Sequence, residues 1–364
     1  MKATVDRETL RDILTESGRY VSSRVSLPVL AGVLVEAGDG RLTVRATDLE
    51  TSYTGETTAE VGEPGRVLVN SKLLAKTVAV GADAVTITDE GDRIAVDLGD
   101  ATVRLRPLAA EDFPALPEPG TGPTGTLDAA DLGTLGRVAV ATETNESRPV
   151  LTGVLLDGAD AAATDAHRLN VGRLGSSVGG TALVPGRTVA LLAKMKSGQV
   201  DVTVEDSQVR FAATVTAGTK KAPRTHRMQV LTKLIEGTFP DFRKLMPDGG
   251  ESLTVDSVQL AAAVKRIASL VRNNIPVRLS ASDGALVIEA FDQDLGEASA
   301  QVPVVDLDAD WTGFAANPTF LVAAVAAATP SGNVTLRGVD GLKPWTVAAE
   351  GSTVSALVMP MRLS

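Results

Sequence analysis

Cysteine is absent from this chain of 364 residues. That absence removes disulfides, thiolate metal ligands and cysteine nucleophiles together, and it suits a reducing compartment. Aromatic residues make up only 3%, so the cores must rest on Val, Leu, Ile and Ala, which a hydrophobic share of 44% supplies. Histidine occurs twice, as His167 and His226. No HExxH, no GxxxxGK phosphate loop and no GxSxG elbow is present. Asp165 and His167 could be drawn as a dyad, but nothing marks the nucleophile and oxyanion donors that such chemistry needs. No stretch approaches the ~18 apolar residues of a membrane span. The opening MKATVDRETL has no apolar run for a signal peptide. The expectation is a soluble, intracellular, cytoplasmic protein with no catalytic residue, no metal and no cofactor.

Positive charge is in deficit, with a net charge of −10. Taken alone this argues against nucleic acid, whose phosphates call for Lys and Arg. A basic face on an acidic body is still compatible with it.

What is present is a repeat. TVDRETLRDIL (4–14), TLDAADLGTLGRV (126–138) and TVDSVQLAAAVKRI (254–267) share Thr, an aliphatic residue, Asp, three residues and Leu. Each passes from a β-like run into a helical pattern, with Asp6, Asp128 or Asp256 placed to cap the helix at ~1 kcal/mol. SLPVLAGVLVEAGDGRLTVRATDLE (26–50) lines up with SRPVLTGVLLDGADAAATDAHRL (147–169), and more loosely with 274–298. GRVLVNSKLLAKTV (65–78), ALVPGRTVALLAKM (182–195) and GFAANPTFLVAAVAAA (313–328) each read as a strand entering a short helix. Alternating runs at 84–98, 199–213 and 332–341 read as hairpins. The fold class is therefore α+β: three similar domains, each a helix pair on antiparallel sheets. Boundaries fall in Pro/Gly-rich linkers, giving domains at 1–120, 125–248 and 251–364.

Basic residues gather on the predicted helices: Arg7, Arg11 and Arg19, then Lys72 and Lys76, Arg137, Arg187, Lys194 and Lys196, and finally Lys265, Arg266 and Arg272. Acidic residues gather in the hairpins. A basic helical face without base-reading motifs suits phosphate attraction that is uniform along a duplex and permits sliding. For any one of these side chains, an ordinary solvated helix face is the alternative. The segment AGTKKAPRTHRM (217–228) reads either as a solvated loop or as an added phosphate contact.

MKATVDRETL, LPVLAGVL, ATDLE, DFPALP, RPVLTGVLL, ATDAHRL, LIEGTFPDFRKLMP, NPTFL and VMPMRL, in this order across the whole length, resemble the bacterial DNA-polymerase sliding clamps. These are the β subunits of the polymerase III holoenzyme. The resemblance implies the DNA-clamp fold, two chains head to tail in a closed ring, and helices lining the hole. It implies a non-catalytic processivity factor of a DNA-directed DNA polymerase. The ring would encircle duplex DNA and, through short linear peptides, hold the replicative polymerase, the clamp loader and repair proteins.

DNA contacts carried over fall on Arg24, Lys72, Lys76, Arg137, Arg187 and Lys194. The peptide pocket falls on Arg148, Leu151, Thr164, His167, Arg168, Leu169, Pro240, Lys244, Leu245, Asn317, Phe320, Pro344, Val358, Met359, Pro360, Met361 and Arg362. Methionine adapts to varied guests, which gives the terminal VMPMRLS a purpose; the alternative is an edge strand plugging the third domain. The homodimer interface falls on Val103 and Leu105 against Leu270 or Val271, with Glu297 opposite a basic partner. Pro149 and Val150 stand where some members place aromatic DNA contacts, Ala166 where glycine is commoner, and Lys244 where arginine is frequent. A clamp paralogue, serving as a partner-binding scaffold or drug-insensitive substitute, is the alternative function.

Overall fold

The computed structural model describes residues 1–22, 27–195, 198–219, 222–247, 249–272, 275–294 and 296–362. One run of elements recurs three times. The first comprises β1 (Lys2–Asp6), α1 (Arg7–Ser17), β2 (Gly32–Gly38), β3 (Arg41–Thr47), β4 (Thr51–Thr58), β5 (Glu60–Glu63), β6 (Gly65–Asn70), α2 (Ser71–Val78), β7 (Ala84–Asp89), β8 (Ile94–Asp97) and β9 (Thr102–Leu105). The second comprises β10 (Thr124–Asp128), α3 (Ala129–Ala139), β11 (Gly153–Asp157), β12 (Asp160–Thr164), β13 (Arg168–Arg173), β14 (Thr181–Pro185), α4 (Gly186–Leu192), β15 (Gln199–Val204), β16 (Gln208–Thr219) and β17 (Ala222–Lys233). The third comprises β18 (Glu251–Asp256), α5 (Ser257–Ala268), β19 (Val277–Ser282), β20 (Ala285–Asp292), β21 (Gly296–Leu307), β22 (Phe314–Ala316), α6 (Pro318–Ala328), β23 (Asn333–Gly338), β24 (Trp345–Ala348) and β25 (Val354–Val358).

Local chemistry explains the recurrence. Asp6 accepts the N–H of Thr9, and Asp256 that of Gln259, at 2.8 Å each. Asn70 and Asn317 cap α2 and α6 in the same way. Helix α1 buries Leu10, Ile13 and Leu14, the stripe its 3.6-residue period predicts. Two glycines mark where the first helix of a run lies close on its sheet. A Cβ at Gly55 on β4 would sit 2.7 Å from Ile13, and one at Gly172 on β13 would sit 2.7 Å from Val138. Strands such as β7 and β20 alternate buried and open positions, as half-covered strands must.

The chain forms two compact units. The first holds Met1–Ala129, Val178–Gly180 and Met195–Leu234; the second holds Ala130–Ser177, Thr181–Lys194 and Ile235–Ser364. The cuts pass through the middle run because sheets continue from one run to the next. In the first unit, the sheet β10-β15-β16-β17-β4-β3-β2-β6 joins the end of the second run to the first, by pairs from Arg227↔Glu56 to Thr232↔Thr51. A smaller sheet there runs β5-β1-β7-β8-β9. In the second unit, β14-β11-β12-β13-β25-β24-β23-β18-β21-β20-β19-β22 joins the end of the third run to the second, by pairs from Arg168↔Val358 to Gly172↔Val354. The core of that unit packs Leu260, Val264 and Ile267 of α5 and Leu321 and Val325 of α6 around Trp345, whose ring stacks on Phe314 at 4.4 Å.

Candidate functional site

The site begins with a turn that the sequence writes twice. Between β12 and β13 the Thr164 hydroxyl donates to the Arg168 carbonyl at 2.7 Å and accepts the Ala166 N–H at 3.1 Å. The Asp165 carboxylate accepts the N–H groups of His167 and Arg168 at 2.9 and 3.0 Å. Thr47 and Asp48 hold residues 49–51 by the same four bonds, at 3.0, 3.0, 3.2 and 2.8 Å. This is why ATD recurs: hydroxyl and carboxylate replace the missing ladder bonds of a tight turn. The third position takes positive φ in both copies, +80° at Leu49 and +74° at Ala166. In the second copy Asp165 also pairs with the Arg168 guanidinium at 2.9 Å, which fixes that side chain.

β25 then brings the distant end of the sequence alongside. Val358 is fully buried between Arg168 and Trp345, its neighbours on the two flanking strands. Beyond it the chain leaves the sheet but stays tied. The Met359 N–H donates to the His167 carbonyl at 2.9 Å, and the Met361 N–H to the Ala315 carbonyl at 2.7 Å. Phe320, on the first turn of α6 and held there by Asn317, stacks on His167 at 6.2 Å and lies 4.8 Å from the Arg168 guanidinium carbon. Thus Thr164, His167, Arg168, Asn317, Phe320, Met359 and Met361 converge, whereas Val358, expected to line the pocket, is fully buried in the core with α5 and α6, and Leu169 turns to the opposite face of the sheet beside Leu357. Pro344 precedes Trp345 on the same strand junction, and Pro360 and Arg362 continue the tail.

A second wall comes from residues 239–246. Phe239 and Phe242 are buried in one cluster with Leu169, Leu183 and Leu357, and Val150 and Met246 pack on its edge. That leaves Pro240 and Leu245 exposed above it, and Lys244 pairs with Asp241 at 3.0 Å. This pairing holds the Asp241 carboxyl below its ordinary range. Arg148 precedes the short turn Pro149–Thr152 and Leu151 lies within it; Leu151 N–H donates to Arg148 O at 3.0 Å. Glu143 sits at this rim, its carboxyl lowered by the N–H groups of Asn145 and Thr144. Sequence reading missed Phe239 and Phe242 as the floor and Asp165 as the clasp. The spacing of Phe239, Phe242 and Met246 in TFPDFRKLM is the signal that carries the first two.

The surface where these groups meet carries the thioethers of Met359 and Met361 beside His167 and Phe320, with Arg168 close to the Phe320 ring. Among the described residues, no group of three or more His, Asp or Glu is placed to hold a metal ion.

The basic residues divide. Lys72 and Lys76 stand one turn apart on the open face of α2, and Arg187 and Lys194 are exposed on and just after α4. Arg137 differs: its guanidinium donates to the Ala327 carbonyl at 3.2 Å and to Thr353 Oγ1 at 2.7 Å, and burial lowers its pKa. It fastens α3 to the third run. Arg24 and Lys196 lie outside the described residues. Arg11 and Arg19 pair with Glu8 and Glu16 beside them on the same stretch. The basic segment 217–228, one reading of which is a loop, is ladder instead: β16 and β17 pair from Gln208↔Lys233 to Thr219↔Ala222. Its Arg224 faces Asp6 at the end of β1 and Glu8 and Asp12 of α1, at 3.7, 2.5 and 3.4 Å. An arginine so engaged is not offered to phosphate; Lys220 and Lys221 lie outside the described residues.

Among the described residues, β9 pairs only with β8, and residues 296–302 of β21 pair only with β20; the other strands at sheet edges are β5, β6, β10, β14 and β22. Val103 is half-buried and Leu105 buried on β9. Glu297 is exposed on β21, Leu270 is 56% exposed, and Val271 belongs to the core.

Models of the DNA polymerase III beta subunit match the chain in order: the N-terminal domain over residues 1–117, the central domain over 132–241 and the C-terminal domain over 243–362. The beta sliding clamp of Streptomyces coelicolor is 32% identical, with 100% of both chains covered. The beta sliding clamp homolog GriR of Streptomyces muensis is 30% identical, over 88% of this chain and 87% of its own. The crystal structure of a sliding clamp (DNA polymerase III subunit beta) from Pseudomonas aeruginosa bound to griselimycin is 26% identical, covers 100% of each chain and superposes with a TM-score of 0.87.

Proposed function

The chain belongs to the DNA polymerase III beta subunit family, the bacterial sliding clamps, and from that premise we propose that it closes with a second copy into a ring around duplex DNA. It is a processivity factor with no catalysis of its own, acting in the cytoplasm. A topological link holds it to DNA, so tight binding is unnecessary and would act as a brake. The division into domains at 1–120, 125–248 and 251–364 follows the three runs of elements.

One observation carries the ring. Each join between runs pairs the last strand of one run with the third strand after the first helix of the run before: β17 with β4, and β25 with β13. The strands at those same two positions that take part in no such join are β9, which ends the first run, and β21, whose first half is paired on one side only among the described residues. A second copy completes the series by pairing β9 of one chain with β21 of the other, head to tail. Leu270 then packs against Val103 and Leu105, and Glu297 meets a basic side chain. Such edges demand a partner, because open backbone groups are otherwise a liability.

Lys72, Lys76, Arg187 and Lys194 supply the mild field on the inner helices, within a Debye length of ~8 Å from the phosphates. The recess lined by His167, Phe320, Met359 and Met361 accepts short apolar peptides from the replicative polymerase, the clamp loader and repair proteins. The test is sedimentation equilibrium of the full chain, followed by loading on nicked circular DNA and linearisation. Twice the chain mass, with release on linearisation, is expected. A single-chain mass at all concentrations overturns the proposal.

A further inference from the structure

A groove of about 380 Å³ lies in the second unit beyond Met361. Leu279 and Phe314 are its buried floor, and Leu342, 74% exposed, is its apolar rim. Gly313, at φ +73°, lets the backbone close over it; a Cβ there would sit 2.2 Å from the Leu279 carbonyl oxygen. Arg278 and Arg362 line the groove, both exposed. Met361 and Arg362 also belong to the peptide recess, so the two surfaces are contiguous.

The charges around this groove are unbalanced. Glu289 stands opposite Arg278 in the β19–β20 register, yet among the described residues neither Arg278 nor Arg362 has a carboxylate partner. Asp340, next in sequence to the lining residue Gly341, already accepts the N–H groups of Leu342 and Lys343 at 2.8 and 2.9 Å and lies 4.0 Å from the Lys343 ammonium. Two guanidiniums without a carboxylate thus stand beside one apolar rim, on a chain of net charge −10. Guanidinium matches carboxylate in geometry and charge.

We propose that this groove is an acidic-residue subsite of the peptide recess, taking Asp or Glu side chains that flank the apolar anchors of the same partner peptide. It rests on the peptide-binding reading above. The test uses full-length protein and fluorescent peptides, blocked at both ends, with a Leu-Leu-Leu-Phe core. The core is extended at either end by Gly-Asp-Asp or by Gly-Asn-Asn. Anisotropy at low salt is expected to show the Asp form from one end binding about fivefold tighter than its Asn counterpart, the scale of one or two exposed ion pairs. Arg278→Gln should erase that preference while leaving binding of the Asn form unchanged, which also shows that the variant is folded. Arg93→Gln, in the first unit, should keep the preference. Equal affinities of Asp and Asn forms, or a preference that survives Arg278→Gln, overturns the subsite. If the Asn forms bind and are weakened by Met361→Ala, the recess stands although the subsite falls. If no form binds, both readings fall together.

Discussion

Removing residues 359–364 should separate binding from folding. The cut leaves β25 whole, with Val358 still buried between β13 and β24. What the fold loses is two backbone hydrogen bonds, Met359 to His167 and Met361 to Ala315. At ~0.5–1.5 kcal/mol net for each, and with the entropy of holding the tail regained, the cost is about 1–2 kcal/mol. That lowers the melting temperature by a few degrees, roughly 2–4 °C per kcal/mol for a unit of this size. The recess loses a whole wall. An anchor side chain that no longer finds the two methionines forfeits ~1.5–3 kcal/mol of burial, or roughly 10- to 100-fold in affinity. A cut before Val354 is different in kind. It removes four buried side chains from mid-sheet, Val354, Ala356, Leu357 and Val358. The loss is about the whole stability of a domain, 5–15 kcal/mol. The assay pairs calorimetry with peptide anisotropy on both truncations. Unchanged peptide affinity after the shorter cut, or its collapse in stability alongside the longer one, refutes the reasoning.

Three further outcomes are expected. Leu270→Asp, at an exposed position, should yield folded single chains in sedimentation; persistence of the dimer removes Leu270 from the interface. His226 is buried, its Nε2 has no hydrogen-bond partner among the described residues, and burial lowers its pKa below 6.5 despite Asp12 nearby. The unfolded chain then binds a proton that the fold refuses, so stability present above pH 6.5 falls as pH drops below it. His226→Gln should flatten that slope in urea titrations of pH 5 against pH 8, and an unaltered slope counts against it. Ala166→Gly should raise stability by ~0.5–1 kcal/mol, because φ +74° strains alanine and not glycine; a loss of stability in calorimetry would show that the turn is not strained.

The elements whose causes are local were open to sequence reading. Asp6 and Asp256 sit three residues before the N–H groups they hold, and the ATD turns close within five residues. What arrives from afar was not. Arg137 looks like any exposed helical arginine until Ala327 and Thr353, some 200 positions on, come beside it. Arg224 reads as a loose basic charge until α1 and its capping Asp6 present three carboxylates to it. Leu270 and Val271 are neighbours in sequence, yet one is exposed and the other lies in the core. Period and composition do not decide which of two adjacent aliphatics turns inward at a helix end. The residues of the recess were accessible through the motifs they sit in, whereas its floor was read only as the residue string TFPDF.

The pairing of β13 with β25 also sets a schedule for synthesis. The strand that covers β13 is encoded about 180 residues downstream, since β13 ends at Arg173 and β25 starts at Val354. At ~5–20 residues per second, a ribosome leaves that border bare for roughly 10–40 s. During this interval the nascent middle segment presents a row of free amides and carbonyls to whatever is nearby. Crowded polysomes, where identical unfinished chains are neighbours, are where this protein is most exposed to mispairing with its own siblings.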